Sequence, residues 1–223
     1  MARIPAHDQI WYGAAPFDRT FPVQRARVPA LKRGLDMLLS ALGLVGSAPL
    51  CALVAVAIKA EDRGPIFYRQ VRVGYKGKLF SVLKFRSMVP DAERESGAVW
   101  AAVNDRRTTR VGRVLRATAM DELPQLLNIF KGDMSFVGPR PERPELILRF
   151  RQEVPGYDRR FLVQPGLTGL AQIYGRYDSS PRYKLRYDVL YIMRQSIWLD
   201  LKLIALSIWI TVRGRWEHRG KKF

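Results

Sequence analysis

Residues 37–58 read MLLSALGLVGSAPLCALVAVAI, 22 residues without a charge. As a straight helix at ~1.5 Å per residue, this stretch would reach about 33 Å, enough to cross a hydrocarbon core of about 30 Å. Two features argue against a crossing. Pro49 sits near the middle, beside Gly43, Gly46 and Ser47, and both flanks are basic, with Lys32 and Arg33 before and Lys59 and Arg63 after. Positive charge marks the cytoplasmic side, and here both ends carry it. A re-entrant helix accounts for both facts. It enters the membrane, breaks at Ser47-Ala48-Pro49 and returns to the face it left, each arm reaching about half the core. The proline frees one carbonyl there, which the Ser47 hydroxyl can help satisfy. The rival readings are a kinked spanning helix and a buried soluble helix, the latter unusual with no polar face over 22 residues.

The whole chain of 223 residues carries 38 Lys and Arg against 20 Asp and Glu, a net charge of +18, with 48% apolar residues. It has the apolar content for a core and is no disordered polycation. Its cations call for an anionic partner: nucleic acid, a phosphate-rich ligand or an acidic membrane face. Cys51 is the single cysteine, and the two histidines, His7 and His218, lie near the ends. That argues against an internal disulfide, a cysteine zinc site, a Ser-His-Asp triad and an H-E-x-x-H site. Neither a P-loop nor G-x-G-x-x-G occurs. Phosphate chemistry must therefore rest on Arg, Lys, carboxylates and metal.

Outward from the apolar stretch, residues 1–30 are proline-punctuated and read as a surface extension rather than a signal peptide. Residues 65–73 and 79–85 carry a strand pattern on either side of a turn at 74–78. Arg106, Arg110, Arg113 and Arg116 follow at spacings of four, three and three, which on a helix is one face. A short helix is expected up to Phe130, a short apolar segment at 134–137, a stiff loop at 138–142 and a helix over 145–153. A turn-rich segment follows at 164–169, then a helix over 182–194. Residues 197–212 are apolar but contain Asp200, Lys202, Trp198 and Trp209, ahead of a basic run. That suits a helix in the membrane interface on acidic lipids, or an amphipathic helix packed on the domain.

Asp121-Glu122 is the leading candidate for chemistry. Asp121 could merely cap a short helix. However, the pair lies five residues after Arg116, and the histidines cannot supply a base or nucleophile. A helix N-terminus would also offer backbone donors to a phosphoryl group there. A carboxylate can attack phosphorus to form an acyl phosphate. Two unit charges at ~4 Å repel by ~4 kcal/mol at an effective dielectric of ~20, so such a carboxylate needs cations around a diphosphate. Mg2+ and arginine forks are the natural ones. Arg140 stands out because Pro139 and Pro141 fix the backbone on both sides of it. Arg116 and Arg176 come next, then Lys84 and Arg86.

Lys84-Phe85-Arg86-Ser87-Met88, Asp121-Glu122-Leu123-Pro124-Gln125-Leu126, residues 131–141 (KGDMSFVGPRP), Pro165-Gly166-Leu167-Thr168-Gly169 and Gly175-Arg176 together resemble the bacterial sugar transferases, the monotopic polyprenyl-phosphate phosphoglycosyl transferases. The likeness runs from about Lys32 to Val212. It implies transfer of a sugar phosphate from a UDP-sugar to polyprenyl (undecaprenyl) phosphate with release of UMP, the first membrane step of exopolysaccharide, lipopolysaccharide or other glycoconjugate synthesis. It also implies Asp121 as a nucleophile carrying the phospho-sugar, with Mg2+ required; Asp121 and Glu122 are the expected metal ligands, with Glu122 either holding metal or assisting proton transfer. It matches Arg116, Arg140 and Arg176 to substrate-binding arginines and the membrane break to Ser47 and Pro49; Lys84 and Arg86 join the substrate-binding candidates from the residue reading above. Three positions depart from the family pattern: the serine is one residue further from Pro49 than usual, Ala119 stands where Ser is common, and Ala171 replaces an aromatic.

The expected fold class is α+β: a small membrane-associated catalytic domain with an N-terminal re-entrant hairpin and amphipathic interfacial helices. The expected division is an extension over 1–30, the membrane helix over 31–60, the catalytic domain over 61–195 and an interfacial helix with basic tail over 196–223. The partners expected are a UDP-sugar, polyprenyl phosphate and anionic lipid. A homodimer is a compatible assembly, and nucleic acid is not a partner, since no binding module accompanies the charge. The place expected is the cytoplasmic face of a bacterial inner membrane. The rival from another class is a basic membrane-surface adaptor without catalysis.

Overall fold

The uncharged stretch forms the middle of α1 (Ala30–Asp62), a single helix of 33 residues and about 50 Å in length at ~1.5 Å per residue. The computed structural model describes residues 30–92, 105–175 and 179–213. The readings for residues 1–29, Arg176 and the basic run from 214 lie outside the described residues. Pro49 sits inside α1, and the helix runs on through Ser47-Ala48-Pro49. The expected break is thus no interruption of secondary structure. Support on both sides of the proline explains this. Buried or half-buried positions recur at steps of three or four along one face: Lys32, Asp36, Ser40, Gly43, Ser47, Cys51, Val54 and Ile58. Gly43 lies against Leu126 and Leu44 packs on the cluster of Val82, Leu126, Ile129 and Met134, while Val54 and Ile58 pack with Phe85 and Leu115. A helix clamped before and after its proline absorbs the lost hydrogen bond. Ser47 Oγ accepts from the Cys51 thiol at 3.8 Å. The opposite face leaves Leu38, Leu42, Val45, Leu53 and Val56 exposed.

β1 (Phe67–Val73) and β2 (Leu79–Phe85) form the expected antiparallel hairpin, with Phe67 opposite Phe85 and Val73 opposite Leu79. α2 (Arg110–Ala117) starts later than the arginine spacing suggests. Thr109 caps it by accepting from the Gly112 N–H at 2.9 Å, which leaves Arg106 in the turn outside. Glu61, near the end of α1, accepts from the N–H groups of Arg110 and Val111 at 2.6 and 3.1 Å. A carboxylate therefore sits at the positive end of α2 and joins the two helices.

Gly112 lets α2 lie on the chain that follows β2, since a Cβ built on it would stand 2.0 Å from the Ser87 carbonyl oxygen. Glycine to alanine inside a helix ordinarily gains up to ~1 kcal/mol. Here the sign reverses: Gly112→Ala is expected to lose about 1–3 kcal/mol through overpacking. A lowered thermal midpoint checks this, and an unchanged one would show that α2 can lift off Ser87 freely.

The remaining elements are α3 (Gln125–Lys131), β3 (Ser135–Val137), α4 (Pro144–Glu153), β4 (Gly166–Thr168), α5 (Leu170–Tyr174), α6 (Pro181–Arg194) and α7 (Ile197–Val212). β3 and β4 pair in parallel, so part of the segment read as turn-rich is a strand. Three residues are too few to show a period of two. The pairing depends on two glycines, because a Cβ on Gly166 would lie 2.0 Å from the Gly138 nitrogen. One apolar cluster joins Val73, Ile147, Phe150, Tyr157, Phe161 and Leu185. Another joins Val137, Val163, Ile173, Tyr191, Leu203 and Ile210. α7 turns Asp200, Leu203 and Ile210 inward and leaves Trp198, Ile208, Trp209 and Val212 exposed. The mixture of helices and short strands agrees with the α+β expectation.

Candidate active site

Asp121 and Glu122 occupy a single 3-10 turn, Met120–Glu122, between α2 and α3. Ala119 makes the corner with φ of 55°, a left-handed conformation uncommon for a residue with a Cβ. The N–H groups of Glu122 and Leu123 turn back onto the carbonyls of Ala119 and Met120. The backbone donors expected at a helix start are therefore partly consumed, and charge neutralisation falls to side chains.

Those side chains come from three directions. Lys84, near the end of β2, donates to Glu122 Oε1 at 2.5 Å. Arg140 donates to the same oxygen at 2.5 Å and to Oε2 at 3.3 Å. Arg116, in the last turn of α2, lies close enough to act on Asp121. Lys84 is delivered by a contact that sequence reading missed. The Asn128 amide on α3 accepts from Leu83 N–H at 3.1 Å and donates to the Ser81 carbonyl at 2.8 Å. It thus docks α3 on β2 as a neighbouring strand would. No periodicity signals an amide with that task.

The two carboxylates have opposite environments. Burial penalises the charge on both. At Glu122, Arg140 and Lys84 outweigh it and hold the carboxyl far below the usual range. At Asp121, burial pushes the carboxyl up to about 6; the Glu122 charge adds to this, and Lys84, Arg116 and Arg140 pull against it. Among the described residues, no donor bonds the Asp121 carboxylate. Glu122 is held by two cations that favour its charged form, while no hydrogen bond among the described residues ties down Asp121. Adjacent carboxylates pushed apart in this way are the pattern of a site with divided roles.

Of the predicted site residues, Asp121, Glu122, Lys84, Arg116 and Arg140 are brought together. Arg86 is not. Its guanidinium pairs with both oxygens of Asp62 at the end of α1 and donates to the Pro65 carbonyl at 2.6 Å. It is buried at 6% exposure. It locks α1 to β2, because the strand ends at Phe85 and the chain turns away. Arg176 lies outside the described residues. Among them, no group of three or more His, Cys, Asp or Glu side chains is placed to hold a metal ion. The donor set suits Mg2+ only in the form completed by substrate phosphates, with one or two protein carboxylates.

The chain matches the family of bacterial sugar transferases over residues 27–214. It is 44% identical over 182 residues to a UDP-glucose:undecaprenyl-phosphate glucose-1-phosphate transferase of Klebsiella pneumoniae, covering 79% of this chain and 39% of that protein. A protein of the same description from Caulobacter vibrioides is 42% identical over 194 residues, 84% of this chain and 72% of its own. A UDP-N-acetylgalactosamine-undecaprenyl-phosphate N-acetylgalactosaminephosphotransferase of Aeromonas hydrophila is 40% identical over 187 residues, 82% of this chain and 44% of its own. The chain thus spans less than half the length of two of these three relatives.

Proposed function

The chain belongs to the bacterial sugar transferase family, and from that premise we propose that it moves a sugar-1-phosphate from a UDP-sugar to a membrane polyprenyl phosphate. The products are UMP and polyprenyl-diphosphate-sugar, as in the first membrane step of surface polysaccharide synthesis. The observation that carries this reading is the Asp121 carboxylate, without a hydrogen bond among the described residues, beside a Glu122 pinned by Lys84 and Arg140, with Lys84, Arg116 and Arg140 all acting on its charge. The three cations exceed the two carboxylates by one charge, which favours an arriving diphosphate.

In the first half-reaction an Asp121 oxygen attacks the β-phosphorus of the donor. The bond from that phosphorus to the bridging oxygen breaks, and UMP leaves with the electron pair. In the second, an oxygen of the lipid phosphate attacks the same phosphorus and the aspartyl carboxylate is released. Arg140 and Lys84 neutralise the phosphoryl oxygens as charge develops on them, and Glu122 holds both cations in place. Both Glu122 oxygens are engaged, so Asp121 would be the principal carboxylate toward Mg2+, with Glu122 joining on release of a cation. The ion would supply further neutralisation of the diphosphate.

The substrate's lipid tail keeps the reaction at the bilayer, and the exposed apolar residues of α1 and α7 suit that location. Both ends of α1 are tied to folded elements: Lys32 to Asp200 of α7, and Glu61 and Asp62 to α2 and Arg86. With both ends held by folded elements, α1 fits a place against the membrane better than a crossing, and a re-entrant path would require a bend at Pro49. Such a place also suits a division into anchor 31–60, catalytic body 61–195 and interfacial tail 196–223. Incubation of the chain in nanodiscs with polyprenyl phosphate and a panel of UDP-sugars is expected to release UMP for at least one sugar, dependent on both substrates. Salt-sensitive vesicle binding with no UMP from any sugar would replace this reading with the adaptor.

A further inference from the structure

Arg140 sits in a loop that cannot hold itself. Pro139 and Pro141 have no N–H to give, so the loop is placed through its carbonyls. Four successive ones are bonded from outside. Pro139 O accepts from Gly166 N–H at 2.9 Å, and Glu142 O accepts from Val73 N–H at 3.0 Å. Pro141 O accepts from Arg72 at 3.0 Å, and Arg140 O accepts from Arg160 Nη2 at 2.8 Å. The Arg160 bond falls on the very residue that reaches Glu122.

Arg160 is fully committed to this task. It is 3% exposed. Its Nη1 donates to the Tyr157 hydroxyl at 2.6 Å, and its Nη2 forms an ion pair with Asp188 of α6 at 3.0 Å. Asp188 is equally buried. The fork bonds the carbonyl and the hydroxyl while its charge faces the Asp188 carboxylate, an arrangement that a lysine ammonium on a flexible stem cannot reproduce.

We propose that Arg160 is a positioning residue for Arg140: held by Tyr157 and Asp188, it fixes the Arg140 carbonyl and thereby aims the Arg140 guanidinium at the transferring phosphoryl group. This rests on the reading of Arg140 as a phosphate ligand. A misplacement of about 1 Å can cost up to about 100-fold in rate, and the partial loosening produced by a lysine is expected to cost about tenfold.

The test is a double-mutant cycle on UMP release by the full chain in nanodiscs, with Arg160→Lys and Tyr157→Phe, each alone and in an Arg140→Lys background that retains a cation. Each single change at 160 or 157 is expected to lower kcat about tenfold with the UDP-sugar KM within about twofold. In the Arg140→Lys background the same changes are expected to cost less than about twofold. Equal losses in both backgrounds, or losses confined to KM, would overturn the positioning role while leaving the Arg140 reading intact. Unchanged turnover in Arg140→Lys alone would overturn both. Tyr157→Phe keeps the ring and the buried ion pair, so it decides the matter if Arg160→Lys fails to fold; an effect under twofold there counts against the proposal.

Discussion

Asp121→Asn is expected to abolish UMP release, by at least about 1,000-fold as for removal of other enzymatic nucleophiles, while the protein stays folded. The same change is expected to end the exchange of labelled UMP into UDP-sugar without lipid acceptor, because in the proposed mechanism that exchange runs through an aspartyl-phosphate intermediate. Retained exchange in the variant would remove Asp121 from the covalent step. The substitution has a second consequence of opposite sign. Burial raises the Asp121 carboxyl from 3.8 to about 6 in the folded chain, so folding favours the protonated form. Its stabilising contribution is full below the unfolded value of 3.8 and is lost as pH rises through about 6. At pH 7 the parent therefore carries a charge that the fold disfavours, and the neutral amide does not. In chelating buffer, Asp121→Asn is expected to have the higher thermal midpoint at pH 7, with the gap shrinking toward pH 4. A gap that is absent at pH 7, or widens in acid, would refute this.

Asp200→Ala is expected to cost about 3–5 kcal/mol, the usual penalty for stripping one partner from a buried ion pair. Lys32 and Asp200 meet at 2.6 Å with side chains 4% and 3% exposed. Lys32 would keep only the Val137 carbonyl at 3.3 Å, and the Tyr191 hydroxyl would lose its 2.8 Å bond to Asp200. For a chain of this size, about 3–5 kcal/mol corresponds to a fall in thermal midpoint of roughly 10 °C. The paired change Lys32→Met with Asp200→Leu removes both charges and is expected to recover most of the loss. Activity should suffer in the single variant as well. Val137, which receives bonds from both Lys32 and Tyr191, immediately precedes the loop that carries Arg140. A single variant within about 1 kcal/mol of the parent would mean that the junction of α1, β3 and α7 is held by apolar packing instead.

Much of this was legible along the chain. The long apolar run announced α1, alternation announced the β1–β2 hairpin, and two prolines announced a stiff arginine loop. The Asp-Glu pair, with Lys84, Arg116 and Arg140, is likewise readable as a set of candidates from charge type and spacing. Other features were silent. Arg86 and Lys84 are two residues apart in one motif, yet one locks α1 to β2 and the other reaches Glu122. Asn128, Arg72 and Arg160 carry no signal, since each acts on a carbonyl or strand far away in sequence. β3 and β4 are too short to show a pattern and exist only because two glycines let them touch.

The order of residues alone therefore determined where helix and hairpin form, where the backbone stiffens and which side chains can do phosphate chemistry. Those properties depend on neighbours within a few positions: spacing of apolar groups, missing N–H donors and charge type. The tertiary structure alone decided that α1 continues through Pro49, that Glu122 is pinned by Lys84 and Arg140, and that Arg86 is spent on Asp62. These outcomes turn on which distant groups share a space with little water, where a charge is held or disfavoured by whatever the fold brings beside it.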